Sequence, residues 1–189
     1  MSSDFRTKKY RHMFKVFDVN SDGAFDQEDT LEVIDNMARE YNVPHDSRPF
    51  VKMRSDYEDW WQMLGTMLDE NGDGHVTQEE FVNFWTGFVE QAKEKSANGD
   101  DSMMDLVAAS ANMTFDFLDH DHNQEISLEE YTVWLKCWNV DTDYAACFAS
   151  LDLNGDGVIT RDEAAILLQN FIFSDDPNAR GTLLYGALN

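Results

Sequence analysis

The sequence predicts an all-α fold in which four helix–loop–helix units form two paired halves of one compact globule. Four acidic clusters of about a dozen residues recur along the chain, and apolar residues at helical spacing flank each of them. The eighth residue of every cluster is apolar (Phe25, Val76, Ile126, Ile159), which lets two loops join through a short antiparallel ladder and so favours an even number of units.

The elements follow in chain order. Tyr10, Met13, Phe14 and Phe17 fall at i, i+3, i+4 and i+7, predicting a helix into the first cluster, 18–29 (DVNSDGAFDQED). Leu31, Ile34, Ala38 and Tyr41 predict the helix that leaves it. Pro44 and Pro49 predict a break before the next helix, whose inner face is read as Trp60, Leu64 and Met67. The second cluster, 69–80 (DENGDGHVTQEE), is followed by Phe81, Phe84, Trp85 and Phe88. The polar stretch 90–101, with Asn98-Gly99, reads as a connector between an N-terminal half, 1–95, and a C-terminal half, 102–189. There Val107, Ala111, Phe115 and Leu118 lead into the third cluster, 119–130 (DHDHNQEISLEE), and Tyr131, Trp134, Leu135 and Trp138 leave it. Tyr144, Phe148 and Leu151 precede the fourth, 152–163 (DLNGDGVITRDE), and Leu167, Leu168 and Phe171 follow.

Composition narrows the function. Asp and Glu number 37 against 14 Lys and Arg, a formal charge of −23, which argues against nucleic-acid and anionic-membrane binding. Yet 42% of residues are apolar and 13% aromatic, too many for a disordered acidic chain. Nineteen of the 37 acids lie inside the four clusters, where Arg161 is the sole basic residue. Two cysteines, Cys137 and Cys147, suit neither a disulfide scaffold nor a paired-Cys zinc site, and are read as inert thiols. Without a signal-like or spanning apolar run, the expectation is a monomeric cytoplasmic protein, not an enzyme.

The clusters have the spacing a hard divalent cation needs. A 12-residue loop offers oxygens from positions 1, 3, 5, 7, 9 and 12, the seventh through its backbone carbonyl. These are Asp18, Asn20, Asp22, Ala24, Asp26 and Asp29 in the first loop, and Asp69, Asn71, Asp73, His75, Thr77 and Glu80 in the second. The third offers Asp119, Asp121, Asn123, Glu125, Ser127 and Glu130; the fourth offers Asp152, Asn154, Asp156, Val158, Thr160 and Glu163. Up to four Ca²⁺ ions are expected. Two loops depart from the ideal. Asp29 is one methylene shorter than the usual Glu, which points to a first site that also accepts Mg²⁺. Gln124 replaces the sixth-position glycine, where the turn needs positive φ, so weaker binding is expected in the third loop. His120 and His122, at positions 2 and 4, are expected to face solvent.

The repeated D-x-[DN]-x-[DN]-G pattern is that of the EF-hand. Four such units, the long spacing between the first two loops and the Asp-closed first loop resemble the sarcoplasmic calcium-binding proteins and calexcitin. That resemblance implies an intracellular calcium buffer or compact sensor, with calcium and a partner protein or hydrophobic small molecule as ligands. The stretches RHMFKVFDVN (11–20) and DPNARGTLLYGA (176–187) are also similar to segments of the calcium-triggered photoproteins and luciferin-binding proteins. This second resemblance implies a coelenterazine cavity between the halves, lined by His12, Trp85, Tyr131, Trp134 and Tyr185. The chain departs from the photoproteins at Leu168 and Ile172, where they carry His and Trp, at Phe81 in place of Tyr, and at Asn189 in place of a terminal Pro.

Overall fold

The computed structural model describes residues 4–188, so Asn189 lies outside the described residues. Its helices are α1 (Asp4–Phe17), α2 (Gln27–Glu40), α3 (Arg48–Leu68), α4 (Gln78–Ala97), α5 (Ser102–Leu118), α6 (Leu128–Cys137), α7 (Tyr144–Leu151) and α8 (Arg161–Phe173), followed by a 3₁₀ turn at Arg180–Leu183. Four two-residue strands, β1 (Ala24–Phe25), β2 (Val76–Thr77), β3 (Glu125–Ile126) and β4 (Ile159–Thr160), pair antiparallel within each half. Phe25 stands opposite Val76 and Ile126 opposite Ile159, so the eighth-position residues meet as expected.

The loop chemistry also starts the helices. The ninth residue of each loop, Asp26, Thr77, Ser127 or Thr160, is the N-cap of the helix that follows. The twelfth, Asp29, Glu80, Glu130 or Glu163, reaches back to that cap's amide in a capping box. Helix start and ligand position are therefore specified by the same two residues, each cap contributing about 1 kcal/mol.

Two features of the sequence reading change. α4 runs on to Ala97, because the Glu, Lys, Gln and Ala residues after Glu90 are good helix formers, and only 98–101 joins the halves, with Gly99 at φ 81°. In α3 the buried stripe is Phe50, Tyr57, Trp61, Gly65 and Leu68, whereas Met67 is half exposed. The Trp61 indole lies over Gly65, where an added Cβ would sit 3.2 Å from the ring, and this turns the stripe by one residue. Trp60 instead faces Phe17 and Trp138, at 5.7 and 6.0 Å between ring centroids.

The two halves share one core. α1 packs on α4 and α8, and α2 packs on α3 and α6. The Asn36 amide donates to the Cys137 carbonyl at 2.9 Å across the junction, beside the Phe17–Trp138 ring contact at 5.1 Å. Lys9, wholly buried, donates to the carbonyls of Asn170, Phe171 and Ser174 and so caps the C-terminal end of α8. The tail crosses α8 at Gly181, where a Cβ would lie 2.0 Å from the Leu167 oxygen, so only glycine fits. Tyr185 then seats its ring against Phe17, Trp134 and Phe171.

Candidate metal centres

All four loops are built on one hydrogen-bond frame. The third residue's side-chain oxygen accepts the fifth residue's amide: Asn20 from Asp22 (2.8 Å), Asn71 from Asp73 (2.9 Å), Asp121 from Asn123 (3.0 Å) and Asn154 from Asp156 (2.8 Å). The fifth residue accepts the seventh's amide, that of Ala24, His75, Glu125 or Val158, at 2.8 to 3.1 Å. These bonds fold positions 3 to 7 of every loop into the same tight turn.

Position 1 differs from loop to loop. Asp69 accepts from Gly72 (2.7 Å) and Gly74 (2.8 Å) with separate oxygens, and Asp152 does the same from Gly155 (2.7 Å) and Gly157 (2.8 Å). These backbone amides, those of Gly74 and Gly157 foremost, hold both carboxyls below the usual aspartate range. Asp18 accepts from Asp22 (3.0 Å) and Gly23 (3.1 Å), but burial raises its pKa.

Asp119 is the exception. It is almost wholly buried, and one oxygen takes both the Gln124 amide (3.1 Å) and the Gln124 side-chain nitrogen (3.3 Å). Its other oxygen, Oδ1, is buried with no hydrogen-bond partner among the described residues. Oxygens of Asp119, Asp121 and Glu130 all lie within 4.8 Å of one another, the only such convergence of three carboxylates among the described residues. An oxygen-only donor set with an unsatisfied buried carboxylate oxygen fits a hard divalent cation.

Position 12 shows a matching contrast. Glu130 and Glu163 each bridge the amide of position 9, at 2.8 and 2.9 Å, to that of position 2, at 3.0 and 3.1 Å. Asp29, being shorter, spans Asp26 (2.9 Å) and Asn20 (3.1 Å) and is fully buried, which pushes its pKa up to about 6 despite those two amides. Glu80 bonds to Thr77 and to the Asn71 side chain.

Three details had no clear signal in the sequence. The fourth position is left-handed in every loop, at Ser21, Gly72, His122 and Gly155, in addition to the sixth. The His75 ring leaves its own loop and lies 2.8 Å from Asp26 of the first, a contact that raises the His75 pKa. His120 is exposed as expected, but its ring stacks on Tyr41 at 3.7 Å, joining the third loop to the end of α2.

The residues assigned to an organic ligand separate into two groups. Tyr131, Trp134 and Tyr185 border a void of about 40 Å³, room for water rather than a multi-ring molecule, and Leu168 lines it too. His12 is buried with its ring nitrogen 2.9 Å from the Tyr185 carbonyl, and burial lowers its pKa. Trp85 packs in another cluster, with Tyr10, Phe84 and Phe88. Phe81 and Ile172 are buried in the core. A far larger cavity, about 880 Å³, opens between α3 and α5 against Tyr41, Met53, Trp60, Met113 and Phe117, and it reaches Asp119 and His120. Both cysteines are buried and not in a disulfide, and burial pushes the Cys137 thiol up to about 12.

The chain carries EF-hand domains. The model of the EF-hand domain pair matches residues 7–86 and that of the EF hand matches 145–163, stretches that contain the first, second and fourth loops. Mitrocomin of Mitrocoma cellularia is 24% identical, covering 98% of this chain and 92% of its own. The sarcoplasmic calcium-binding proteins I, III and IV of Branchiostoma lanceolatum are 28% identical over 71% of this chain and 70% of theirs. The calcium-loaded apo form of the coelenterazine-binding protein from Renilla muelleri superposes with a TM-score of 0.76 at 20% identity, covering 97% of this chain and 96% of that one. Calcium binding is therefore supported for this chain. Among the described residues no helix is long and apolar enough to cross a membrane.

Proposed function

We propose that this chain, with its EF-hand domains as the starting point, takes up calcium reversibly through all four loops in the cytoplasm and acts by binding rather than catalysis. The observation that carries this reading is the third loop, where the carboxylates of Asp119, Asp121 and Glu130 converge and one oxygen of the buried Asp119 has no hydrogen-bond partner among the described residues. When bound, each calcium supplies two positive charges, so four ions would bring the formal charge from −23 to −15. The protein's own part is to hold the donors on one frame and to close each loop with a carboxylate already placed by its capping box. Stiff aromatic packing across both halves, with Phe17, Trp60 and Trp138 in mutual contact, supports a buffer or compact sensor. Asp29, short and buried, supports a first site shared with magnesium. Calorimetric titration with calcium, with and without millimolar magnesium, tests both points. Four calcium sites, one of them weakened by magnesium, is the expected result.

The 880 Å³ cavity favours a second reading, in which a hydrophobic small molecule of the coelenterazine type binds this chain as well. The likeness to the coelenterazine-binding protein supports it. Incubating the calcium-free protein with coelenterazine, removing free ligand and then adding calcium gives a retained chromophore if this is right, and light only if oxidation occurs too. A protein that retains no chromophore leaves the calcium reading standing alone.

A further inference from the structure

Arg161 is an unexpected residue. It is the sole base inside the four ligand clusters, and it opens α8, where the helix dipole disfavours a cation. Its contacts lie not in its own loop but around the third. Nε donates to the Gln124 side-chain oxygen at 3.0 Å, one terminal nitrogen donates to Asp116, and the other reaches the Asn112 carbonyl at 3.4 Å. The guanidinium also lies 4.3 Å from the centre of the buried Phe115 ring. Three of these contacts, to Asn112, Phe115 and Asp116, hold it to the last two turns of α5, the helix that leads into Asp119, and the fourth holds Gln124 in the loop.

Gln124 is the residue that needs holding. Its φ of 72° is a conformation that side-chain-bearing residues avoid. With its oxygen fixed by Arg161, its amide nitrogen points back to Asp119 and joins the Gln124 backbone amide on a single carboxylate oxygen. The other oxygen is left buried without a hydrogen-bond partner, in a carboxylate that converges with those of Asp121 and Glu130. We infer that Arg161 is a positioning residue for the third loop: it clamps Gln124 in the left-handed conformation and, through it, aims Asp119 at the ion. The third loop's affinity then depends on a side chain supplied by the fourth unit, a link in addition to the β3–β4 ladder. The inference rests on the third loop being occupied.

A mutant cycle on the full chain tests it. Arg161→Lys keeps the charge and Arg161→Met keeps the apolar stem over Phe115, but neither presents the planar fork. Each is expected to weaken calcium at the third loop, followed through the amide signals of residues 119–130, by about five-fold, the equivalent of roughly 1 kcal/mol of left-handed strain. In the calcium-free protein both should speed hydrogen exchange at the Gln124 amide. In a Gln124→Gly background, where glycine takes the same φ freely and has no side chain to clamp, both effects should vanish. Equal losses in the two backgrounds, or full rescue by lysine, would overturn the clamp while leaving calcium binding intact. A wild-type third loop that binds no calcium would overturn the occupancy on which the clamp rests.

Discussion

The third and fourth loops pair with each other and reach the same backbone geometry by different means. The fourth places glycine at both left-handed positions, Gly155 and Gly157, and two backbone amides satisfy Asp152. The third places His122 and Gln124 there, ties one oxygen of Asp119 twice through Gln124, and leaves the other free in a buried site. Backbone freedom makes the fourth loop easy to form. Side-chain bonds make the third costlier to form and leave its carboxylates gathered. The sixth residue is thus held by side-chain contacts in the third loop and by backbone freedom in the fourth.

The comparison can be broken most severely at position 12. Glu130→Gln and Glu163→Gln each remove the charged closing ligand. Where free calcium is a hundred times Kd, each variant should forfeit about 2.7 kcal/mol of linked stability, or roughly 2–4 °C of Tm for every kcal/mol. Calorimetric melting in excess calcium and in chelator reads this directly, and an unchanged Tm for Glu130→Gln would mean that the third loop is not occupied. Next in size is an exchange at the sixth position. A Cβ at Gly157 would meet nothing within 4 Å, so Gly157→Gln should cost only the conformational term, about 1–2 kcal/mol in urea unfolding of the calcium-free protein. Gln124→Gly should be close to neutral by the same measurement, because relief of φ strain is offset by the lost bonds to Asp119 and Arg161.

A pH experiment extends the contrast to the first half. Burial raises Asp29 to about 6, whereas the loop amides lower Asp152. A carboxyl whose folded pKa is raised binds its proton more tightly in the folded state. Calcium-free stability from Asp29 is therefore greatest at low pH, falls between about 4 and about 6, and is flat above. Asp152 has the opposite sign, adding stability above its unfolded pKa and losing it as pH falls through the lowered one. Side-chain carboxyl NMR of the calcium-free protein should show Asp29 titrating well above Asp152, and calcium should release the Asp29 proton. The smallest effect is expected from His75→Gln, which removes the exposed histidine from Asp26 and should tighten first-loop calcium affinity by at most about a few-fold.

Much of this was legible in the sequence because it is local. The spacing of Asp18, Asn20 and Asp22, or of Asp152, Asn154 and Asp156, sets the loop frame through bonds between residues two apart, and Phe25 and Ile126 find their ladder partners by the same arithmetic. The stripe of α3 was misplaced by one residue at Met67, since helical period alone did not show that the Trp61 ring would cover Gly65. The organic-ligand residues were only partly brought together: His12 meets the Tyr185 carbonyl, but Trp85 sits where the α1–α4 packing puts it.

By itself, then, the sequence determined four oxygen-rich loops between apolar helices and how they cap those helices, because each depends on residues a few positions apart. The tertiary structure alone decided what lies between the units: His75 against Asp26, His120 on Tyr41, and Arg161 reaching Gln124 37 residues upstream. Such contacts depend on where separate helices bring their ends, a position set by the whole core and not by any short stretch of chain.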